Sequence, residues 1–327
     1  MTKHILNIFI LILLLLVVLV FNLVFAGSEP MNFSDFNSSN YIFSNIRLTK
    51  ALTALLCGMC LPVAGQILQV LFRNPLAGPY VLGISSSASF FVAISIMLTG
   101  SIGLSNTLLI TKFANISAAL TGSLFCTVLI LFIALRVKNN VFLLLIGLML
   151  GQIFGALQSF VEYFSNDKSL KEFIMWGFGS LGNCSYSDLL IFSSFTLILL
   201  AALFFLAKPF QALLIGENYA TSLGINFKLY RFYFILISSL LTAIATAFCG
   251  PIAFIGLSVP IMSRLIFITS NQKYQLVYCL LLGAIIMLIC DTLAHVILPG
   301  SLLPVNIITT LIGSPFIIYL LFKSKNW

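Results

Sequence analysis

Asp291 and His295 stand four residues apart in an apolar run, so a helix there puts a carboxylate and an imidazole on one face. Such a pair could relay protons or hold an ion, and an ionisable group inside a span is a functional-site hypothesis by default. The competing expectation is structural, with both side chains near the outer end of the span, solvating themselves or capping neighbours. Cys57-Gly-Met-Cys60 has the spacing of a redox or metal pair, but no second pair follows at metal spacing. Six of the seven cysteines fall in apolar runs and only Cys184 in a polar segment, so they read as small packing residues. Gln66 and Gln69, beside Gly65, could line a polar path or bond helix to helix, and both readings stand. No G-x-x-x-x-G-K-[ST] occurs, so the chain cannot cradle nucleotide phosphates by a P-loop. Without a clustered metal set or a nucleophile with a base at readable spacing, enzymatic chemistry and a cofactor are not expected.

These groups must be positioned by membrane helices. Hydrophobic residues make up 61% of the chain, charged residues 7%, and the mean hydropathy is +1.15. A soluble domain carries roughly 25% charged residues. The fold class is therefore all-α integral membrane, and 327 residues hold about ten spans of roughly 20 residues. The spans read as 5–26, 46–72, 80–99, 113–135, 141–162, 188–207, 230–249, 252–268, 276–298 and 303–322. A cleaved signal peptide competes for the first run, but its apolar region would normally be only about 7–15 residues, so a retained span is expected. The segments 163–187 and 208–229 read as the longer loops. A faint repeat relates Pro79–Ser85 to Pro251–Ser258 with one residue inserted. It suggests one transmembrane domain, with an inverted repeat of spans 2–5 (about 46–162) and 7–10 (about 230–322) and span 6 linking them.

The stretch Phe72–Ser89, FRNPLAGPYVLGISSSAS, interrupts this pattern. It holds two prolines, two glycines, an arginine and four serines between strongly apolar runs. Pro75 and Pro79 each remove a backbone donor and push the preceding residue out of helical geometry. Gly78 and Gly83 permit backbone angles that other residues resist. Broken helices at membrane depth point to a transport site. The run Arg73-Asn74-Pro75-Leu76-Ala77-Gly78-Pro79 with Leu82-Gly83-Ile84-Ser85 resembles the signature of FecCD-type permeases. These are the membrane subunits of bacterial ATP-driven importers of iron–siderophore, haem and vitamin B12, and the resemblance runs over roughly Ile46 to Phe322.

Further segments carry it. Gly216-Glu217-Asn218-Tyr219-Ala220-Thr221-Ser222-Leu223-Gly224 is similar to the family's loop that docks short helices on the ATPase subunit. Ala220 and Leu223 share a helix face, Glu217 suits a helix start, and Gly224 can end it in a left-handed cap. An ordinary amphipathic loop helix is the plainer alternative. Cys249–Leu257 resembles another family segment, and the following Pro260–Arg264 has Ile261 where the family has histidine. Trp176-Gly-Phe-Gly179-Ser180 matches an element near the family's outer gate, though plain helix–helix bonding is an equal reading. Arg47 and Lys50 match a basic pair that meets acidic residues of an extracytoplasmic binding protein, and interfacial snorkelling is the alternative. His295 stands where the family has arginine, and Asn306 where it usually has glycine.

The resemblance implies a homodimer around a central path, two cytoplasmic ATPase subunits and a binding protein, with alternating access and no covalent chemistry. Pathway or gating candidates are Gln66, Gln69, Asn74, Pro75, Pro79, Gly83, Trp176, Gly179, Ser180 and Gly256. An ion-coupled secondary transporter is the alternative function. The net charge of +8 is scattered over short loops, which argues for orientation in a bilayer and against nucleic acid. With the N-terminus cytoplasmic, eleven of the sixteen Lys and Arg fall inside and five outside, in keeping with the positive-inside rule. Both termini are then cytoplasmic in a bacterial inner membrane. Single cysteines at Ser169 and Ser222, on a cysteine-free background, should test this with an impermeant thiol reagent. Labelling in intact cells is expected at the first alone, and equal labelling of both would reject the topology.

Overall fold

A computed structural model describes residues 2–27, 42–101, 108–137, 139–215, 224, 226–297 and 303–323. Every regular element among them is helical. Helix α1 spans Thr2–Phe25, and a wide π-type turn, Ile42–Leu48, leads into α2, Thr49–Phe72. A 3-10 turn, Pro79–Leu82, precedes α3, Ile84–Ser101. Then come α4 (Leu108–Arg136), α5 (Asn140–Tyr163), α6 (Asp167–Gly177), α7 (Tyr186–Phe205) and α8 (Ala207–Ile215). The chain closes with α9 (Phe227–Cys249), α10 (Ile255–Ile266), α11 (Gln272–Val296) and α12 (Val305–Lys323). Seven helical stretches, those of α1, α2, α4, α5, α7, α9 and α11, are long and apolar enough to cross a membrane. The shorter apolar helices α3, α10 and α12 lie where the remaining spans were expected.

Polar side chains start many of these helices. Asn139, Asn166, Asn226 and Asn271 each accept a bond from a first-turn N–H, and Ser185 with Asp188 forms a capping box. Such caps each stabilise a helix by about 1 kcal/mol. The segment 163–187 is not simply a loop, because α6 buries Ser169 and Phe173. Phe173 packs with Val92 and Ile96 of α3 and Ala247 of α9. Asp167, Lys168, Lys171 and Glu172 mask this face in the composition. Since Ser169 is buried, the exposed neighbour Lys168 is the better labelling position.

Helix α2 is the spine of the bundle. It is buried almost throughout and packs against α9, α10 and α11, while α1 lies outside on α11. Two crossings are so close that only glycine fits. A Cβ on Gly283 of α11 would sit 2.0 Å from the Gly58 carbonyl oxygen of α2. A Cβ on Gly65 would sit 1.6 Å from the Gly256 carbonyl oxygen at the start of α10. Small residues let membrane helices gain dispersion and close polar contacts where the lipid gives no hydrophobic drive. The pairings also recur between halves of the chain. The contact of α2 with α11 has its counterpart in α9 with α4, that of α2 with α10 in α9 with α3, and that of α3 with α5 in α10 with α12.

Gly65→Ala should therefore lower stability by at least the roughly 1–3 kcal/mol of an overpacked core. Gly155→Ala on α5 meets nothing within 4 Å and should be neutral or gain the roughly 0.5–1 kcal/mol by which alanine exceeds glycine in a helix. Thermal unfolding of the two variants in detergent checks the pair, and equal midpoints would contradict the close crossing.

Candidate functional site

The two interrupted segments meet each other on α2. The first begins as α2 ends: Arg73 adopts left-handed geometry at φ 49°, and Asn74 N–H returns to the Gln69 carbonyl at 3.2 Å. The Asn74 side chain accepts from Leu76 N–H at 2.9 Å, which, with Pro75, turns the chain back toward the bundle. Pro79 opens the 3-10 turn and Gly83 closes it at φ 75°. A Cβ on Gly83 would lie 2.8 Å from the Gly151 nitrogen of α5. The second segment begins at Gly250, φ 75°, and ends at Phe254, a non-glycine residue at φ 65°. Its Gly256 lies against the first segment, since a Cβ there would come 2.7 Å from Pro79 Cγ.

Side chains then close the gaps. Gln69 Nε2 donates to the Leu257 carbonyl at 3.0 Å, and its Oε1 accepts from Arg264. Gln66 Nε2 donates to Gln272 Oε1 of α11 at 3.2 Å. Both glutamines are buried, and in this conformation they join α2 to α10 and α11 rather than face a cavity. Where α9 ends, Ser180 N–H donates to the Cys249 carbonyl at 2.9 Å, and Gly179 turns at φ 74° beside it. Asn306 N–H reaches the Phe178 carbonyl at 3.3 Å, while its Oδ1 accepts from Ala253 N–H at 3.0 Å. The asparagine that departs from the family's glycine thus stitches three segments together.

Two cavities flank the Trp176–Ser180 segment. One of about 380 Å³ is lined by Lys112, Asn115, Trp176, Ser180 and Cys249 among others. The second, about 520 Å³, is lined by Arg47, Lys50, Gly179, Ser180, Asp291 and His295 among others. Ser180 belongs to both walls, so the W-x-x-G-S element separates them.

Sequence reasoning expected Arg47 and Lys50 to face outward. Both fold inward instead, 7% and 8% exposed, though each reaches the larger cavity. Arg47 Nη1 donates to the Leu23 and Val24 carbonyls at the end of α1, at 2.9 and 2.7 Å. Lys50 Nζ pairs with Asp291 Oδ1 at 3.0 Å and donates to His295 Nε2 at 2.7 Å. His295 Nδ1 lies 2.9 Å from the Asp291 carbonyl and 3.2 Å from Lys50 Nζ. Asn22 of α1 donates to Asp291 Oδ2 at 2.9 Å. Asp291 is thus fully buried and held by Lys50 and Asn22, which is neither the solvated or capping arrangement nor the proton or ion relay considered from the sequence. Asn7 and Asn22 are the two asparagines of the apolar α1, and that polarity was the available signal for Asn22. Of the loop residues, Gly216, Glu217, Ala220 and Leu223 lie outside the described residues. Gly224 is exposed at φ 76°, the left-handed geometry expected of a helix end.

Comparison with known proteins fits this architecture. The model of the FecCD transport family matches residues 8–323. The chain belongs to the FecCD transport family. Within it, the chain is similar to the hemin transport system permease protein HmuU of Yersinia pestis, with 33% identity over 96% of this chain and 95% of that one. It is also similar to the vitamin B12 import system permease protein BtuC of Serratia proteamaculans, with 34% identity over 86% of this chain and 82% of that one. A solved ABC transporter assigned to the metal-chelate type, in an inward-facing conformation, superposes with a TM-score of 0.87. It shares 27% identity and the match covers 97% of this chain and 99% of that one. PsaBC from Streptococcus pneumoniae, at 15% identity and a TM-score of 0.55, shares the fold. This FecCD member is a multi-pass membrane permease.

The buried ion pair makes a quantitative prediction. Asp291→Leu or Lys50→Met leaves the surviving charge buried without its partner, and should cost about 3–5 kcal/mol. The double variant Lys50→Met/Asp291→Leu should recover much of that loss. A double-mutant cycle by thermal unfolding measures the coupling, and strictly additive losses would show that the pair does not interact.

Proposed function

We propose that this FecCD permease is the path-forming subunit of an ATP-driven importer in a bacterial inner membrane, moving an iron–siderophore, haem or cobalamin by alternating access. The observation that carries this is the pair of broken segments packed on α2 in a chain matched by the transport family from end to end. A metal chelate is the substrate class that unites the assignment of the solved relative with those of the haemin and vitamin B12 relatives, and iron–siderophore is the first choice to test within it.

In this reading two copies enclose the path and two ATPase subunits seat against the loop Gly216–Gly224. An extracytoplasmic binding protein docks at the face bearing the larger cavity, where Arg47 and Lys50 reach the wall. The recurring helix pairings support an inverted repeat of the two halves, with both termini cytoplasmic. Pro79, Gly83, Gly179 and Gly256 mark where backbone turns permit tilting, and Trp176 with Ser180 divides the two outer cavities. Gln66 and Gln69, with Asn74 and Pro75, hold the inner part of the path in its present state.

A secondary transporter would use a titratable group within the spans. Asp291 is the acidic residue placed deep in a helix among those described, and it is already committed to Lys50, Asn22 and the helix of His295. That commitment favours the ATP-driven reading.

Reconstitution with the cognate ATPase tests it. Gly224→Val forces a β-branched residue into left-handed geometry, at roughly 1–2 kcal/mol. ATPase association and transport of a labelled iron–siderophore should fall, while membrane insertion is unchanged. Normal ATPase binding and normal transport in this variant would remove the loop as the coupling element and reopen the ion-coupled alternative.

A further inference from the structure

Away from the broken segments, a cavity of about 230 Å³ opens where the end of α4 meets the start of α9. One part of its wall is apolar, formed by Leu131, Ala134, Leu135 and Phe232. The other part carries two cations, Lys228 and Arg231, and among the described residues none that lines it is acidic. Lys228 is exposed, whereas Arg231 is only 6% exposed and its Nη1 donates to the Val137 carbonyl just past α4 at 2.9 Å. The guanidinium is thereby anchored to the last turn of α4 while its side chain lines the cavity. Arg136 adds a third cation nearby, held 4.7 Å over the Phe132 ring.

The surroundings choose among anions. Phe132 and Leu135 are 55% and 67% exposed, so the apolar wall continues onto an outward face of α4 that would meet acyl chains. An inorganic anion would use the cations and leave that face uncovered. A molecule with a phosphate head and hydrocarbon tails matches both. Basic pockets between membrane helices are suited to anionic headgroups, which enrich the cytoplasmic leaflet.

We propose that this cavity is a binding site for an anionic phospholipid, with its phosphate on Lys228 and Arg231 and its acyl chains along Phe132 and Leu135. Only the choice of leaflet rests on the orientation proposed above. The site lies at the first turn of α9, three residues after Gly224, so an occupied cavity would fix the end of the loop to the membrane surface.

The test uses the full chain in nanodiscs of phosphatidylcholine, with or without phosphatidylglycerol. Native mass spectrometry should find phosphatidylglycerol retained in preference to phosphatidylcholine, and the unfolding midpoint should rise with it. Lys228→Gln should weaken that preference by roughly fivefold, the worth of one cation near an anionic surface. Lys228→Arg should preserve it. Because Arg231 is buried and its loss also costs packing, the exposed Lys228 carries the decision. Equal retention of the two lipids, or an unchanged preference in Lys228→Gln, would overturn the proposal. So would inorganic phosphate raising the midpoint as far as phosphatidylglycerol does, which would mark a free-anion site. Neither lipid result bears on ATPase association, so the importer reading stands or falls separately.

Discussion

A helix that breaks inside a bilayer frees backbone N–H and C=O groups where no water can reach them, and each costs on the order of several kcal/mol unless protein supplies a partner. The two interruptions on α2 meet this constraint locally first. Val81 N–H returns to Gly78, Gly83 N–H to Tyr80, and Gly250 N–H to Thr246. What remains is taken by side chains from other helices: Gln69 covers the Leu257 carbonyl, and Asn306 covers Ala253 N–H. The Ser180 backbone covers the Cys249 carbonyl. Several of the polar residues in an otherwise greasy chain thus sit where a break has to be satisfied.

The charged cluster at the far end of α2 works differently. Lys50 and Asp291 gain little over a well-packed apolar pair, because taking two charges out of water costs about what their attraction returns. Their effect is on register. Lys50 can satisfy Asp291 and His295 together only when α2 and α11 are aligned, and Asn22 and Arg47 extend that alignment to α1. Glycine crossings at Gly58 with Gly283 and Gly65 with Gly256 then set the distance between the helices whose register these charges fix.

Much of this was legible before any coordinates. Hydropathy located the apolar runs, proline and glycine located the interruption at Phe72–Ser89, and the second was visible only as a faint repeat of it. The positive φ at Gly83 and Gly224 follows from residue type. What stayed hidden was which helix stands beside which. Arg47 and Lys50 look alike whether they face a partner protein or an aspartate 241 residues further along the chain from Lys50. Gln66 and Gln69 carry the same pattern whether they line a path or bond to α10 and α11. Helix α6 escaped notice because it is only 11 residues long and Asp167, Lys168, Lys171 and Glu172 dominate its composition. Asn306 was visible as a departure, but its work needs three segments that only folding brings together.

The crossing of Gly65 over Gly256 reaches beyond this one molecule. Gly65 cannot acquire even a methyl group by itself, because the obstacle is the Gly256 backbone, and a Cβ on Gly256 would meet the Leu61 carbonyl of α2 as well as the Pro79 ring. Ordinary packing sites drift by compensating a larger residue with a smaller neighbour. Here there is nothing to trade, so the two positions are closed to gradual change. Lineages that kept the fold would hold both glycines, and a lineage that lost one would have had to move a helix.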